Sequence, residues 1–200
     1  MDRGVVWQHI DRQRAELADL IDAIDADDPG RWDTPSLCTG WTVRNVAAHL
    51  THSTLPMPRM LAEAARHGFR FGAVVDRMAL QDARPPAELA ANLRRIVGCR
   101  RHPPGTSELE PLIDVLVHAQ DICVPLGIDR AMPADAAVAA AERVWAKGLP
   151  FQRPVRPAGV RMVATDADFA VGDGPEVMSA PIRDLLMVLT GRPADVNAAG

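Results

Sequence analysis

Tyrosine is absent, aromatic residues make up 4% of the chain, and only three cysteines are present, Cys38, Cys99 and Cys123, with no Cys-x-x-Cys spacing. So few and so scattered thiols argue against a disulfide framework and against a cysteine zinc site, and they read as reduced. An excess of one charge is also missing. Lys and Arg number 22 against 26 Asp and Glu, a net charge of -4, which offers no field for a phosphate backbone or an anionic lipid surface. No run approaches the ~18 apolar residues of a membrane helix, and the opening MDRGVVWQHIDRQRAEL has no signal-peptide core. The expectation is a cytoplasmic protein with neither nucleic acid nor membrane as partner. What the chain does have is 48% hydrophobic residues over 200 positions, enough for one core without staples.

Apolar periodicity sets out the elements. Ile10, Leu17, Leu20, Ile21 and Ile24 fall at helical intervals, giving a first helix over about 3–26 that ends before Pro29-Gly30. Thr42 caps a second helix reaching the mid-60s, bent at Pro56 and Pro58, with Trp41 stapled onto Val46. A helical turn or two spans 71–78. Pro85-Pro86 opens a helix to about Cys99, and 100–105 breaks the chain. A long helix starts at Thr106 or Ser107 and is closed by Pro125 and Gly127, and another runs from Pro133 to about Lys147. After Pro157 the period drops to two, and 160–164 with 169–171 read as a β-hairpin. A last amphipathic helix carries Ile182, Leu185, Leu186 and Leu189 and stops at Gly191, leaving a frayed tail from Pro193. The expected class is mainly α: an antiparallel four-helix bundle over 1–149 and a small C-terminal α+β extension over 150–200.

The helix after residue 106 is unusual. At about 100° per residue, Leu112, Val115, Leu116, Ala119, Ile122 and Cys123 cover one broad face, and Ile113 and Val117 widen it. Asp114, His118 and Asp121 nevertheless share one stripe. That stripe is either a narrow solvent face or, through the i, i+4 pair, the acid and imidazole that a divalent metal takes from one helix. On the second helix His52 points away from the apolar face and reads as a surface residue. His49 sits at the flank, either as a core-edge imidazole or as a third donor, since bundles build metal sites from facing helices. Cys38 lies in the loop before this helix, as an ordinary thiol or a nucleophile. Arg94-Arg95 and Arg100-Arg101 read as a solvated basic face.

The string Trp32 … Thr34-Pro35-Ser36-Leu37-Cys38-Thr39-Gly40-Trp41-Thr42-Val43-Arg44-Asn45-Val46-Ala47-Ala48-His49-Leu50 resembles the signature of the mycothiol-dependent maleylpyruvate isomerase-like family, within the DinB-like metal-binding bundle superfamily. Asp114 to Gly127, with His118-Ala119-Gln120-Asp121, and Val163-Ala164-Thr165-Asp166 through Gly172-Asp173-Gly174-Pro175-Glu176-Val177 to Leu189-Thr190-Gly191-Arg192 agree with it. The resemblance implies a DinB-like four-helix bundle with a short C-terminal extension. It also implies a divalent metal, commonly zinc, held by His49, Asp114 and His118. Asp114 stands where the isomerase is expected to carry Glu, one methylene longer, and Phe169 stands where relatives often show Trp.

The function so implied is a metal-dependent enzyme using a low-molecular-weight thiol, mycothiol, to isomerise a small electrophile or transfer sulfur to it. Asp121 would orient an imidazole from behind the metal, or be a solvated helix carboxylate. Arg192 would hold a substrate carboxylate, or be a cation at a helix C-terminus. Trp41 would roof the pocket as a thiol-binding residue, or serve as a core staple. The other classes are a non-catalytic metal or thiol sensor and a bundle with a decayed site. A homodimer is the expected assembly by analogy with DinB-like bundles.

Overall fold

The computed structural model describes residues 1–55, 58, 62, 63, 65, 71–102, 105–147, 156–193 and 197–199. Helix α1, Arg3–Asp27, begins where the Asp2 carboxylate accepts the Gly4 N–H at 2.7 Å. A 3-10 turn at Pro29–Asp33 follows and buries Trp32, whose Nε1 donates to Asp25. Then come α2 (Val43–His52), α3 (Phe71–Gln81), α4 (Pro86–Arg95), α5 (Leu109–Cys123) and α6 (Ala134–Lys147). The C-terminal part holds β1 (Val160–Ala164), β2 (Ala170–Val171), β3 (Glu176–Ala180), α7 (Ile182–Leu189) and β4 (Asn197–Ala199).

Two cores meet along α5. Leu17 to Ile24 of α1, Val43 to Leu50 of α2, Leu89 to Leu93 of α4, and Val115, Ala119 and Ile122 of α5 close one of them, with Trp32 inside. These four helices are the expected bundle. Leu112, Ile113, Leu116 and Val117 of α5 face the other core, shared with Trp7 and Ile10 of α1, with α6, the sheet and α7. The C-terminal extension thus packs against the bundle through this second core. The expected boundary at 149/150 falls outside the described residues.

Several element ends differ from the periodicity reading. Helix α2 stops at His52, and its expected continuation past Pro56 lies largely outside the described residues. Helix α3 is longer than the turn or two expected. Helix α4 ends at Arg95 and not near Cys99, because the chain turns through Gly98 at φ 82° and buried Arg14 takes the carbonyls of Ile96 and Cys99 at 3.0 and 3.1 Å. Helix α5 begins at Leu109, later than expected, because the Glu110 carboxylate folds back to accept the Ser107 N–H and hydroxyl at 2.6 and 2.8 Å. His52 is not a surface residue: Asp82 and Arg84 cover it, with its Nε2 2.9 Å from Asp82 Oδ2. The basic face is paired, Arg94 to Asp19 and Asp22, and Arg100 to Asp11.

The hairpin of β1 and β2 is present, with Met162 opposite Val171. It belongs to a sheet of order β2-β1-β3-β4 in which β3 runs parallel to β1 and β4 antiparallel to β3. Residues 197–199 therefore pair with β3, where a frayed tail was expected. The edge of β3 supplies their order through backbone groups that need partners. The segment 172–175 carries the chain from β2 to β3 directly over the start of β1. A Cβ on Gly174 would lie 1.8 Å from the Gly159 carbonyl and 2.4 Å from Val160 N. Gly174→Ala is expected to cost about 2 kcal/mol or more, as overpacking against backbone does. That corresponds to about 4–8 °C in Tm for a chain of this size, read by thermal melts, and an unchanged Tm would contradict the close approach.

Candidate metal centre

The candidate site begins with a tight loop. Ser36 N and Oγ both donate to the Trp41 carbonyl at 2.9 Å, and Pro35 and Thr42 form an isolated bridge. Within it Trp41 N–H returns to the Cys38 carbonyl at 3.0 Å across Thr39-Gly40, with Gly40 at φ 80° in the third turn position where a positive φ is required. Leu37 N–H reaches the Asp121 carbonyl of α5 at 3.4 Å and docks the loop on that helix. Thr42 and Asn45 form a reciprocal capping box that starts α2, as the sequence suggests.

These supports bring His49 of α2 against the polar stripe of α5. His49 Nε2 lies 3.2 Å from Asp114 Oδ1, and His118 Nε2 lies 3.4 Å from the same oxygen. The three donor atoms are all within 4.8 Å of one another. Tetrahedral zinc with bonds of about 2.0–2.1 Å needs donors about 3.3 Å apart, so this donor set fits a divalent ion with little movement. His49 Nδ1 is buried and has no hydrogen-bond partner among the described residues. Trp41, expected on Val46, packs against the core that holds Val46 and also sets its ring beside both imidazoles. Its centroid is 5.2 Å from that of His49, and it stacks on His118 at 6.3 Å and 20°.

Behind His118 lies a second layer. Its Nδ1 is 2.7 Å from Asp121 Oδ2, and the Asp121 side chain is wholly buried, which removes the reading of a solvated helix carboxylate. Cys38 Sγ donates to the same oxygen at 3.0 Å. Arg192 Nε and Nη2 hold the two Asp121 oxygens at 3.1 and 2.9 Å, and Nη1 donates to the Thr190 carbonyl at 2.7 Å. The guanidinium thus grips a carboxylate of the protein itself. Its aim comes from the end of α7: Gly191 at φ 81° donates to Val188 and Arg192 N–H to Met187, the Schellman closure of a helix.

Alternating charge decides the protonation of this cluster. Burial pushes the Asp114 carboxyl up, but His49 and His118 outweigh it and hold the group well below the carboxylate range. Burial pushes His118 down, but hydrogen bonds to Asp114, Asp121 and Cys38 raise it well above its ordinary value. Burial opposes ionisation of Asp121 too, and His118 with Arg192 bring it down to about 2. Without a metal these surroundings favour the imidazolium form of His118, with Nδ1 on Asp121 and Nε2 3.4 Å from Asp114 Oδ1. Cys38 and the Arg192–Asp121 pair are the parts of the cluster that sequence reasoning did not join, since no local spacing connects residues 38, 121 and 192.

A bundle that gathers two imidazoles and a carboxylate from two of its helices is a candidate metal-binding protein. Residues 10–102 match the family described as the mycothiol maleylpyruvate isomerase N-terminal domain. The resemblance carried by the 32–50 string is thereby shown for this part of the chain; Asp114 and His118 lie beyond the matched stretch. A solved structure, that of the mycothiol-dependent maleylpyruvate isomerase, is similar over 98% of this chain and 90% of its own at 14% identity and a TM-score of 0.54. At that identity the likeness is one of fold. No curated protein sequence matches the chain. No helix among the described residues is long and apolar enough to cross a membrane.

The end of α2 that carries His49 is anchored by Asp82. Its side chain is 7% exposed, and burial pushes its carboxyl up, yet hydrogen bonds from Arg84 outweigh this and bring it down to about 2. A carboxyl lowered from 3.8 to about 2 contributes about 2 kcal/mol that is fully present at neutral pH and lost as pH falls through the folded value. Asp82→Asn is expected to lower stability by about that amount at pH 7, and the gap to the unsubstituted protein should shrink to about half by pH 3. Urea denaturation at the two pH values measures it, and a gap of equal size at both would contradict the anchor.

Proposed function

We infer that the chain is a metal-dependent enzyme in which His49, Asp114 and His118 hold a divalent ion, zinc by the donor set. A low-molecular-weight thiol, mycothiol by family, is the cosubstrate for isomerisation of, or sulfur transfer to, a small electrophile. The observation that carries this reading is the convergence of two Nε2 atoms on one Asp114 oxygen at 3.2 and 3.4 Å. Three protein donors leave tetrahedral zinc a fourth position, the arrangement of catalytic sites. When bound there, the ion would supply the Lewis acidity that keeps a thiol sulfur anionic at neutral pH.

The residues of the chain do the rest. Asp121 accepts the Nδ1 proton of His118 and so directs the Nε2 lone pair toward Asp114 and His49, the usual service of a carboxylate behind a histidine ligand. Asp114, one methylene shorter than Glu, is held close to both imidazoles by the facing of α2 and α5. Trp41 covers the two rings from the loop side and keeps bulk water off that face. Reversible addition of the thiol across a polarised carbon–carbon double bond leaves a single bond free to rotate. Expulsion of the same thiol then returns the geometric isomer, while retention of the sulfur gives net transfer.

Protein purified without chelator is expected to contain close to one equivalent of divalent metal. His49→Ala and His118→Ala should retain less than about a tenth of it, by elemental analysis, with the helical circular dichroism kept. Incubation with mycothiol and a cis-configured unsaturated keto acid should give the trans isomer or a thiol adduct, read by chromatography. Metal-free unsubstituted protein with the helices intact would overturn the metal reading. Stoichiometric metal with no conversion across a panel of electrophiles would leave a sensor in place of an enzyme.

A further inference from the structure

His118 has two ring nitrogens, and each faces a different set of donors. Nε2 faces His49 and Asp114. Nδ1 faces Asp121 Oδ2 at 2.7 Å and Cys38 Sγ at 3.7 Å, and Cys38 Sγ is 3.0 Å from Asp121 Oδ2. The second set, Cys38, His118 and Asp121, converges as tightly as the first, with all three donor atoms within 4.8 Å. By composition it is the more attractive of the two for thiophilic ions, because it adds a sulfur donor to imidazole and carboxylate. A histidine that has given up both ring protons can bridge two metals as an imidazolate, one ion on each nitrogen.

One group stands in the way. Arg192 Nη2 lies 2.9 Å from Asp121 Oδ2 and 3.5 Å from Cys38 Sγ, over the same edge that a second ion would share. Its side chain is 12% exposed and its other nitrogens are tied to Asp121 Oδ1 and the Thr190 carbonyl. A guanidinium does not lose its proton in proteins, so this cation is permanent. The Schellman turn at Gly191 fixes where it arrives.

We propose that Arg192 is a built-in cation that reserves His118 for a single metal, its guanidinium occupying the place where a thiophilic divalent ion would bridge Cys38, His118 and Asp121. The inference rests on the metal reading above and adds a metal-selectivity role for the C-terminal extension. With the guanidinium gone, a second ion enters by simple exchange. Cys38 gives its thiol proton and His118 its Nδ1 proton to solvent, metal–sulfur and metal–nitrogen bonds form, and nothing is oxidised or reduced.

Cadmium titration of the full chain tests this, because sulfur-to-cadmium absorption in the ultraviolet reports the thiolate directly. The unsubstituted protein is expected to take one equivalent without that absorption. Arg192→Gln should take two, with the absorption growing in over the second. Arg192→Gln combined with Cys38→Ser should lose both the absorption and the second equivalent, and Arg192→Lys, which keeps a cation, should stay at one. A single equivalent without the absorption in Arg192→Gln overturns the guard and leaves the His49–Asp114–His118 reading standing. An unsubstituted protein that takes no cadmium overturns that reading and the guard with it. Should Arg192→Gln fail to fold, the unsubstituted protein decides. The absorption at its first equivalent, or a second equivalent bound, overturns the proposal, and one equivalent with the Cys38 thiol still free to alkylation supports it.

Discussion

Helix α5 is buried from both sides, and the candidate centre follows from that constraint. Val115, Ala119 and Ile122 belong to one core and Leu112, Ile113, Leu116 and Val117 to the other. The polar stripe that remains is mostly shielded from water. Asp121 is wholly buried, and Asp114 and His118 are largely covered. Their charges are met by one another and by Arg192, in the alternating order Asp114, His118, Asp121, Arg192. Breaking such a chain at one member leaves a buried charge unpaired, a loss of about 3–5 kcal/mol. Replacing the whole chain by well-packed apolar groups is often neutral or stabilising. Four charged groups gathered at one place inside a helical bundle are therefore a poor device for stability, and their arrangement makes sense as a device for binding.

Much of this was legible before any coordinates. The wheel of α5 could be drawn because its apolar residues recur at helical spacing, and a helix apolar nearly all round must be buried. The stripe of Asp114, His118 and Asp121 could then be a narrow solvent face or a set of donors, and the full burial of the Asp121 side chain decides against solvent at that position. The Thr42 cap and the flank position of His49 followed from the same local rules. Those rules act within a few residues along the chain, and the parts that were not legible lie beyond their reach. Arg192 meets Asp121, and Cys38 meets His118, only because α7 and the 34–42 loop dock on α5. His52 looked exposed on its own helix, and the segment 82–84 covers it. Strand β3 shows no alternation and β4 is a short run of Asn and Ala, so each owes its conformation to the strand beside it.

The chain also shows how loosely this fold constrains sequence. At 14% identity to the solved isomerase the fold is similar over nearly the whole length, and the acidic position holds Asp where Glu was expected. In the proposed centre a shorter carboxylate serves only if the helices bring it to the imidazoles. Here they do, since Asp114 Oδ1 stands within 3.4 Å of both Nε2 atoms. The packing of α2 against α5, set by small residues such as Ala47, Ala48 and Ala119 in their shared core, therefore matters to the donor geometry as much as the identity of the donors.

The C-terminal extension has to be read in the same light. Its sheet and α7 share a core with α5 and α6, and the last turn of α7 ends on a glycine whose left-handed conformation points the next residue at Asp121. A solvated appendage would have no reason to send a guanidinium into the bundle. Because it does, the electrostatics of the bundle centre depend on a segment folded some seventy residues further along the chain. The two parts are then coupled through this ion pair: loosening the extension withdraws the cation that balances Asp121, and the cost falls on the histidine in front of it.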